Sequence, residues 1–135
     1  MPDPAGTFRL VVSLDFSASH QLRHYQGKCE NMHGHNFTVE AAVEGETLRP
    51  DLGILMDFKD LKAELRAVLA ELDHRHLNDL EPFLVHNPSS EHIARHIYEQ
   101  LFCRLERFSV RLASVAVSEK PGQTAVYLGP PASAR

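Results

Sequence analysis

The chain has 135 residues, 43% of them hydrophobic, which is enough for one domain with a real core. Its formal net charge is −4, with 24% charged residues and no long basic run, so neither nucleic acid nor an anionic membrane is an expected partner. No apolar run reaches the length of a membrane span, and the start at Met1 to Gly6 lacks the charged-then-apolar pattern of a secretory signal, so the expected location is the cytoplasm. There, Cys29 and Cys103 stay thiols, and Cys103 reads as a core residue.

A single domain over 1–135 is expected, with Met1 to Gly6 and Gly129 to Arg135 as loose ends rich in Pro, Gly, Ala and Ser. Phe8, Leu10, Val12, Leu14 and Phe16 alternate with Arg9, Val11, Ser13 and Asp15, the pattern of a strand with one buried face. That strand delivers His20 at its far end. Gln21 to Lys28 is a polar loop whose Arg23 and Lys28 read as solvated, with binding groups as the alternative. The loop leads into Cys29-Glu30-Asn31-Met32-His33-Gly34-His35.

His33 and His35 are two apart, and Asn36 to Val43 continues as an alternating strand, so both imidazoles lie on one face. Antiparallel pairing with the first strand would bring His20 beside them. Three imidazoles without a fourth protein ligand match a catalytic zinc, which keeps one position open for water or substrate. Cys29 is then a reactive thiol beside the metal rather than a ligand. The alternative is three unrelated surface histidines in a chain that has nine.

A turn-rich connection through Gly45, Pro50 and Gly53 precedes a helix opened by Asp57, with Phe58, Leu61, Leu65, Val68, Leu69 and Leu72 as its buried stripe. The helix runs out in Asp73-His74. A carboxylate on one ring nitrogen raises the basicity of the other, which suits proton transfer, but a histidine at the negative end of a helix dipole is equally ordinary. His76, His86, His92 and His96 read as structural or surface residues. Asn87-Pro88-Ser89-Ser90 breaks the chain and caps a second helix, striped by Ile93, Ile97 and Leu101 and extended by Phe102 and Leu105. Val110 to Glu119 and Thr124 to Leu128 read as strands around the turn at Pro121-Gly122. Glu119 ends an uncharged run, so it is either a partly buried carboxylate with a ligand as partner or simply exposed at a strand end.

Six short stretches stand in the order found in one known family: Phe16-Ser17-Ala18-Ser19-His20, Cys29 to His35, Gly53-Ile54-Leu55-Met56-Asp57-Phe58, Asp73-His74 with Leu77-Asn78, Asn87-Pro88-Ser89 with Glu91, and Glu119. From about Phe8 to Tyr127 the chain resembles the 6-pyruvoyltetrahydropterin synthase and 6-carboxytetrahydropterin synthase family. The resemblance implies an α+β tunnelling fold, a four-stranded antiparallel sheet with two helices on one face, closing into a barrel on oligomerisation. It implies a homohexamer built as a dimer of trimers, with active sites between subunits. It further implies Zn2+ on His20, His33 and His35, a catalytic set of Cys29, Asp73 and His74, and Glu119 anchoring the pterin ring.

The activity so implied is that of a carbon-carbon and carbon-oxygen lyase. It would convert 7,8-dihydroneopterin triphosphate to 6-carboxytetrahydropterin, acetaldehyde and triphosphate, on the route to queuosine. Three positions depart from the commonest family pattern. Ser89 replaces a threonine and keeps the hydroxyl, whereas Lys120 replaces a small hydroxyl residue beside Glu119. Glu30, directly after the cysteine, resembles a subset in which a glutamate supports release of 6-hydroxymethyl-7,8-dihydropterin for folate synthesis, so Glu30 is a possible second catalytic residue or else a solvent-facing loop side chain. A 6-pyruvoyl product and a non-catalytic zinc-dependent binding module remain alternatives, and retention of Cys29, Asp73 and His74 together argues against the module. Arg23, His24 and Lys28 are the nearby candidates for the triphosphate.

Overall fold

The computed structural model describes residues 6–27 and 30–130. Cys29 and Lys28 therefore lie outside the described residues. The alternating segments form β1 (Phe8–His20) and β2 (His33–Gly45), paired antiparallel with Phe16 opposite Phe37 and His20 opposite His33. Two helices follow, α1 (Phe58–Leu69) and α2 (Ser90–Arg104), separated by a two-residue strand β3 (Arg75–His76) and two short 3-10 turns. The chain closes with β4 (Arg111–Lys120) and β5 (Gln123–Leu128).

The sheet order is β3-β1-β2-β4-β5. This corrects the expectation of four antiparallel strands. The sheet has five, and it is mixed, because β3 runs parallel to β1 with Arg75 opposite Ala18 and His76 opposite Ser19. Two residues are too few to show a period. What creates the strand is the turn at His74, whose φ of 59° redirects the chain and whose N–H donates to the Ser17 carbonyl at 2.6 Å.

Both helices start on side-chain caps, with Asp57 accepting from the Lys59 amide at 2.8 Å and Ser89 from the His92 amide at 3.2 Å. Their buried residues, among them Leu61, Leu65, Ile93, Ile97 and Leu101, pack on the sheet face that carries Val12, Phe16, Phe37, Val39, Val43 and Val115. Helix α1 lies against β1 and α2 against β4 and β5. Two positions of the expected stripes are exposed instead, Phe58 and Phe102, and so is Cys103, read above as core. Phe58 is the first residue of α1, and Phe102 and Cys103 lie in the last turn of α2, off the face on which Leu101 and Leu105 stay buried. Glu64 is buried on α1 because Arg104 and Arg107 hold its two oxygens at 2.9 and 2.7 Å, tying α1 to the end of α2.

Candidate metal centre and cleft

The pleat sets the site. Even-numbered residues of β1 and odd-numbered residues of β2 face the helices, so the buried face that begins with Val12, Phe37 and Val39 continues to His20, His33 and His35 at the strand ends. There the helices no longer cover it. On β4, Glu119 lies two residues beyond buried Val117, at a register shift where β4 carries one more residue than β5 between paired Val117 and Lys120. One ligand atom from each of His20, His33, His35 and Glu119 falls within 4.8 Å of the others, a group able to hold a metal ion. The expected three-histidine set is thus brought together, and Glu119 joins it.

Hydrogen bonds orient two of the imidazoles. His20 is 2% exposed, and its Nδ1 lies 2.7 Å from the Pro88 carbonyl oxygen. A carbonyl only accepts, so Nδ1 carries the proton and Nε2 presents its lone pair to the cluster. His33 Nδ1 sits 2.8 Å from the Asn31 carbonyl with the same consequence. Among the described residues, the Nε2 atoms of His20 and His35 are buried without a hydrogen-bond partner. Buried nitrogen lone pairs left unpaired beside a carboxylate fit a divalent metal. Burial holds the His35 pKa below the ordinary imidazole value; Glu119 opposes this, while His20, His33 and Lys120 reinforce it. A neutral imidazole is the form that ligates.

The cleft in front of the cluster, about 430 Å³, is bordered by His20, His33, Glu30, Ser89, Glu91 and Glu119. Glu30 is not the free, solvent-facing loop residue of one reading: its carboxylate accepts the Leu22 N–H at 3.0 Å, its own N–H donates to the Leu22 carbonyl at 2.9 Å, and it lies 3.9 Å from His33 Nδ1. Arg23 is half-buried, and among the described residues its Nη1 has no hydrogen-bond partner. Its guanidinium donates to the Phe83 carbonyl and, at 3.5 Å, to that of Asn78. His24 is exposed in a left-handed conformation, φ 63°. Lys120 is exposed as well.

Asp73 and His74 lie elsewhere. Asp73 accepts the Ser17 N–H at 2.9 Å, and its other oxygen lies 3.0 Å from His74 Nδ1. These contacts, the Ser17 amide first, hold the Asp73 carboxyl below the usual range. His74 borders a second concavity of about 500 Å³, lined by Ser17 to Ser19, Gly34 to Asn36 and Arg75 to His76. Within one chain, the Asp73-His74 pair is therefore not in the cleft beside His33.

Asn78 and Asn87 stand in the sequence motifs, but the role that the structure gives them was not read there. The Asn78 side chain accepts from the Gln21 N–H and donates to the Gln21 carbonyl, both at 2.9 Å. Asn87 does the same to Arg23, at 2.8 and 2.9 Å. Each amide imitates the strand partner that residues 21–23 lack, and together they fix the exit of β1 at His20. The available signal was the amide itself, the one neutral side chain with a donor and an acceptor spaced to match a peptide edge.

Fold and site together define an α+β domain with a three-histidine, one-carboxylate group in an open cleft. Residues 9–130 match the family described as 6-pyruvoyl tetrahydropterin synthase, and the chain belongs to this family of pterin-processing enzymes. It is similar to a 6-carboxy-5,6,7,8-tetrahydropterin synthase of Synechocystis, at 39% identity over 90% of this chain and 93% of that one. It is also similar to a dihydroneopterin monophosphate aldolase of Pyrococcus furiosus, at 38% identity over 69% and 74%. In three dimensions it superposes on the 6-pyruvoyl tetrahydropterin synthase of Caenorhabditis elegans with a TM-score of 0.78 and 30% identity, covering 93% of this chain and 97% of that one.

Proposed function

We propose that this protein is a zinc-dependent 6-carboxytetrahydropterin synthase that converts 7,8-dihydroneopterin triphosphate and water to 6-carboxy-5,6,7,8-tetrahydropterin, acetaldehyde and triphosphate, a step toward queuosine. The observation that carries this reading is the convergence of His20, His33 and His35 with Glu119 at one end of a cleft. Similarity to the Synechocystis enzyme supports the product over its relatives'.

The three imidazoles would hold Zn2+, which when bound stabilises negative charge developing on the substrate's side-chain oxygens. Glu119 accepts hydrogen bonds from the amino and ring N–H groups of the pterin and sets its orientation in the cleft. Cys29 and His74 move protons at the side-chain carbons, from opposite sides. Asp73, 3.0 Å from His74 Nδ1, keeps the proton on that nitrogen so that Nε2 is the acceptor.

His74 borders a different concavity from His20, His33, Glu30 and Glu119, although His35 lines the concavity of His74; a neighbouring copy that brings its own His74 to the cleft would complete the active site. The sheet face away from the helices would be open to such assembly, with Val11 exposed on β1 and Val126 and Leu128 exposed on the edge strand β5. A hexamer formed as a dimer of trimers is the proposed state.

A second reading rests on Glu30. Its carboxylate borders the cleft beside His33, and the Pyrococcus relative is an aldolase. In this reading Glu30 supports an added retro-aldol cleavage to 6-hydroxymethyl-7,8-dihydropterin.

The test is product analysis by mass spectrometry, with zinc-loaded protein and 7,8-dihydroneopterin triphosphate. 6-Carboxytetrahydropterin with acetaldehyde is the expected result, and added 6-hydroxymethyl-7,8-dihydropterin, lost in Glu30→Ala, establishes the second activity. A 6-pyruvoyl product overturns the proposed specificity. Bound metal without turnover replaces the enzyme with a zinc-dependent binding module.

A further inference from the structure

We propose that Glu119 has a second role, as a displaceable fourth ligand that closes the metal site until the pterin arrives. The inference rests on the proposed function for the identity of the substrate, but its evidence is geometric. Glu119 Oε2 lies 3.4 Å from His20 Nε2 and 3.5 Å from His35 Nε2. Both separations are too long for N–H···O hydrogen bonds, which run to about 3.2 Å. They match the edge of a tetrahedron whose centre lies about 2.0–2.1 Å from each corner, roughly 3.4 Å, the spacing between ligands of a four-coordinate zinc.

Both nitrogens facing Glu119 are buried without a hydrogen-bond partner among the described residues. The carboxylate and the His20 Nε2 lone pair, fixed by the Pro88 carbonyl on Nδ1, face one point and would repel unless a cation sits between them. The pleat of β4 puts Glu119 on the same face as buried Val115 and Val117, the face that carries the histidines on β1 and β2.

The same side chain borders the cleft. To accept from both the amino and the ring N–H of a pterin, Glu119 must offer two oxygens side by side, and an oxygen bound to a metal is poorly placed to do so. Pterin binding therefore competes with coordination. The ring draws Glu119 away and opens the coordination position at the moment the substrate's side-chain hydroxyls reach it. Before that, the site has the closed, four-ligand form of a structural zinc site.

The test uses the full chain loaded with Co2+, whose visible spectrum reports ligand number and geometry. Glu119→Gln should bind Co2+ roughly 10-fold or more weakly in a chelator competition, with a changed spectrum, and Glu119→Asp should recover part of the affinity. In wild-type protein, 6-methyl-7,8-dihydropterin, which has no side-chain hydroxyl to coordinate, should shift the spectrum toward that of the Gln variant. Wild-type affinity and spectrum in a Gln variant shown to be folded by circular dichroism overturn the ligand role. A dihydropterin that binds, by equilibrium dialysis, without altering the wild-type spectrum overturns the displacement, and this arm needs no variant. A wild-type chain that binds no divalent metal overturns the proposed function's metal along with this inference, whereas the other two failures leave that function standing.

Discussion

At the scale of single residues, the chemistry is a matter of which nitrogen carries which proton. Carbonyl oxygens of Pro88 and Asn31 fix His20 and His33 with Nε2 free. His33→Ala should lose the metal, measured by atomic absorption after gel filtration, while Cys29→Ala should keep it and lose most turnover; undiminished turnover would remove the thiol from the proposed reaction. A second histidine sets a pH dependence away from the site. His96 is half-buried against the Phe83 ring, and burial lowers its pKa. As pH falls through about 6.5, the unfolded imidazole takes up a proton that the folded one resists, so stability present above that pH is lost as pH falls toward the folded value. Urea midpoints of metal-free protein should therefore fall between pH 7 and pH 5 (about one imidazole titration), and His96→Leu should flatten that slope. An unchanged slope would assign the loss to other groups.

The elements were largely legible because burial leaves a period. Strands β1 and β2 alternate, and the caps at Asp57 and Ser89 stand where the helices begin. What the period could not show is how wide the buried stripe is, so Phe58 and Phe102 are exposed while Leu61, Leu101 and Leu105 are buried, and Cys103, off the stripe, is exposed as well. Nor could it show β3, which exists through the turn at His74 and the bonds of Asp73 and His74 to Ser17. The connections carry the other hidden part, the asparagine clamps. Asn87→Ala leaves the Arg23 N–H and carbonyl unpaired in a half-buried loop and should cost about 1–3 kcal/mol in urea unfolding. It should also weaken metal binding, since Pro88, the neighbour of Asn87, orients His20. Asn87→Asp, which keeps the acceptor and loses the donor, should fall between the two.

For the whole molecule, the decisive feature is that one chain presents two concavities, with His20, His33 and Glu119 on one and His74 on the other, where His35 is also a lining residue. If a neighbouring copy unites them, light scattering should give a mass of about six chains for a dimer of trimers. Cys29→Ala and His74→Ala proteins, each inactive alone, should recover activity when unfolded and refolded together, because some mixed sites combine an intact thiol with an intact histidine. No recovery from mixtures shown to exchange subunits would place both groups in one chain's site. No helix of the described residues is long and apolar enough to cross a membrane.

By itself the sequence determined the strands, the helices and the three-histidine face, since a period of two and a period of 3.6 are local properties that the chain carries wherever it folds. It also carried the ordered motifs that mark the family. Tertiary structure alone decided the company these residues keep. Glu119 joins the histidines because β4 pairs with β2 and its buried face, running from Val115 and Val117 to Glu119, meets theirs 84 positions after His35; the Arg23 guanidinium donates to backbone carbonyls; and His74 turns toward a concavity that it shares with His35 but not with His20, His33 or Glu119. Those outcomes depend on register and on contacts between residues far apart in the chain, and no local pattern encodes a contact whose two halves are separated by a fold.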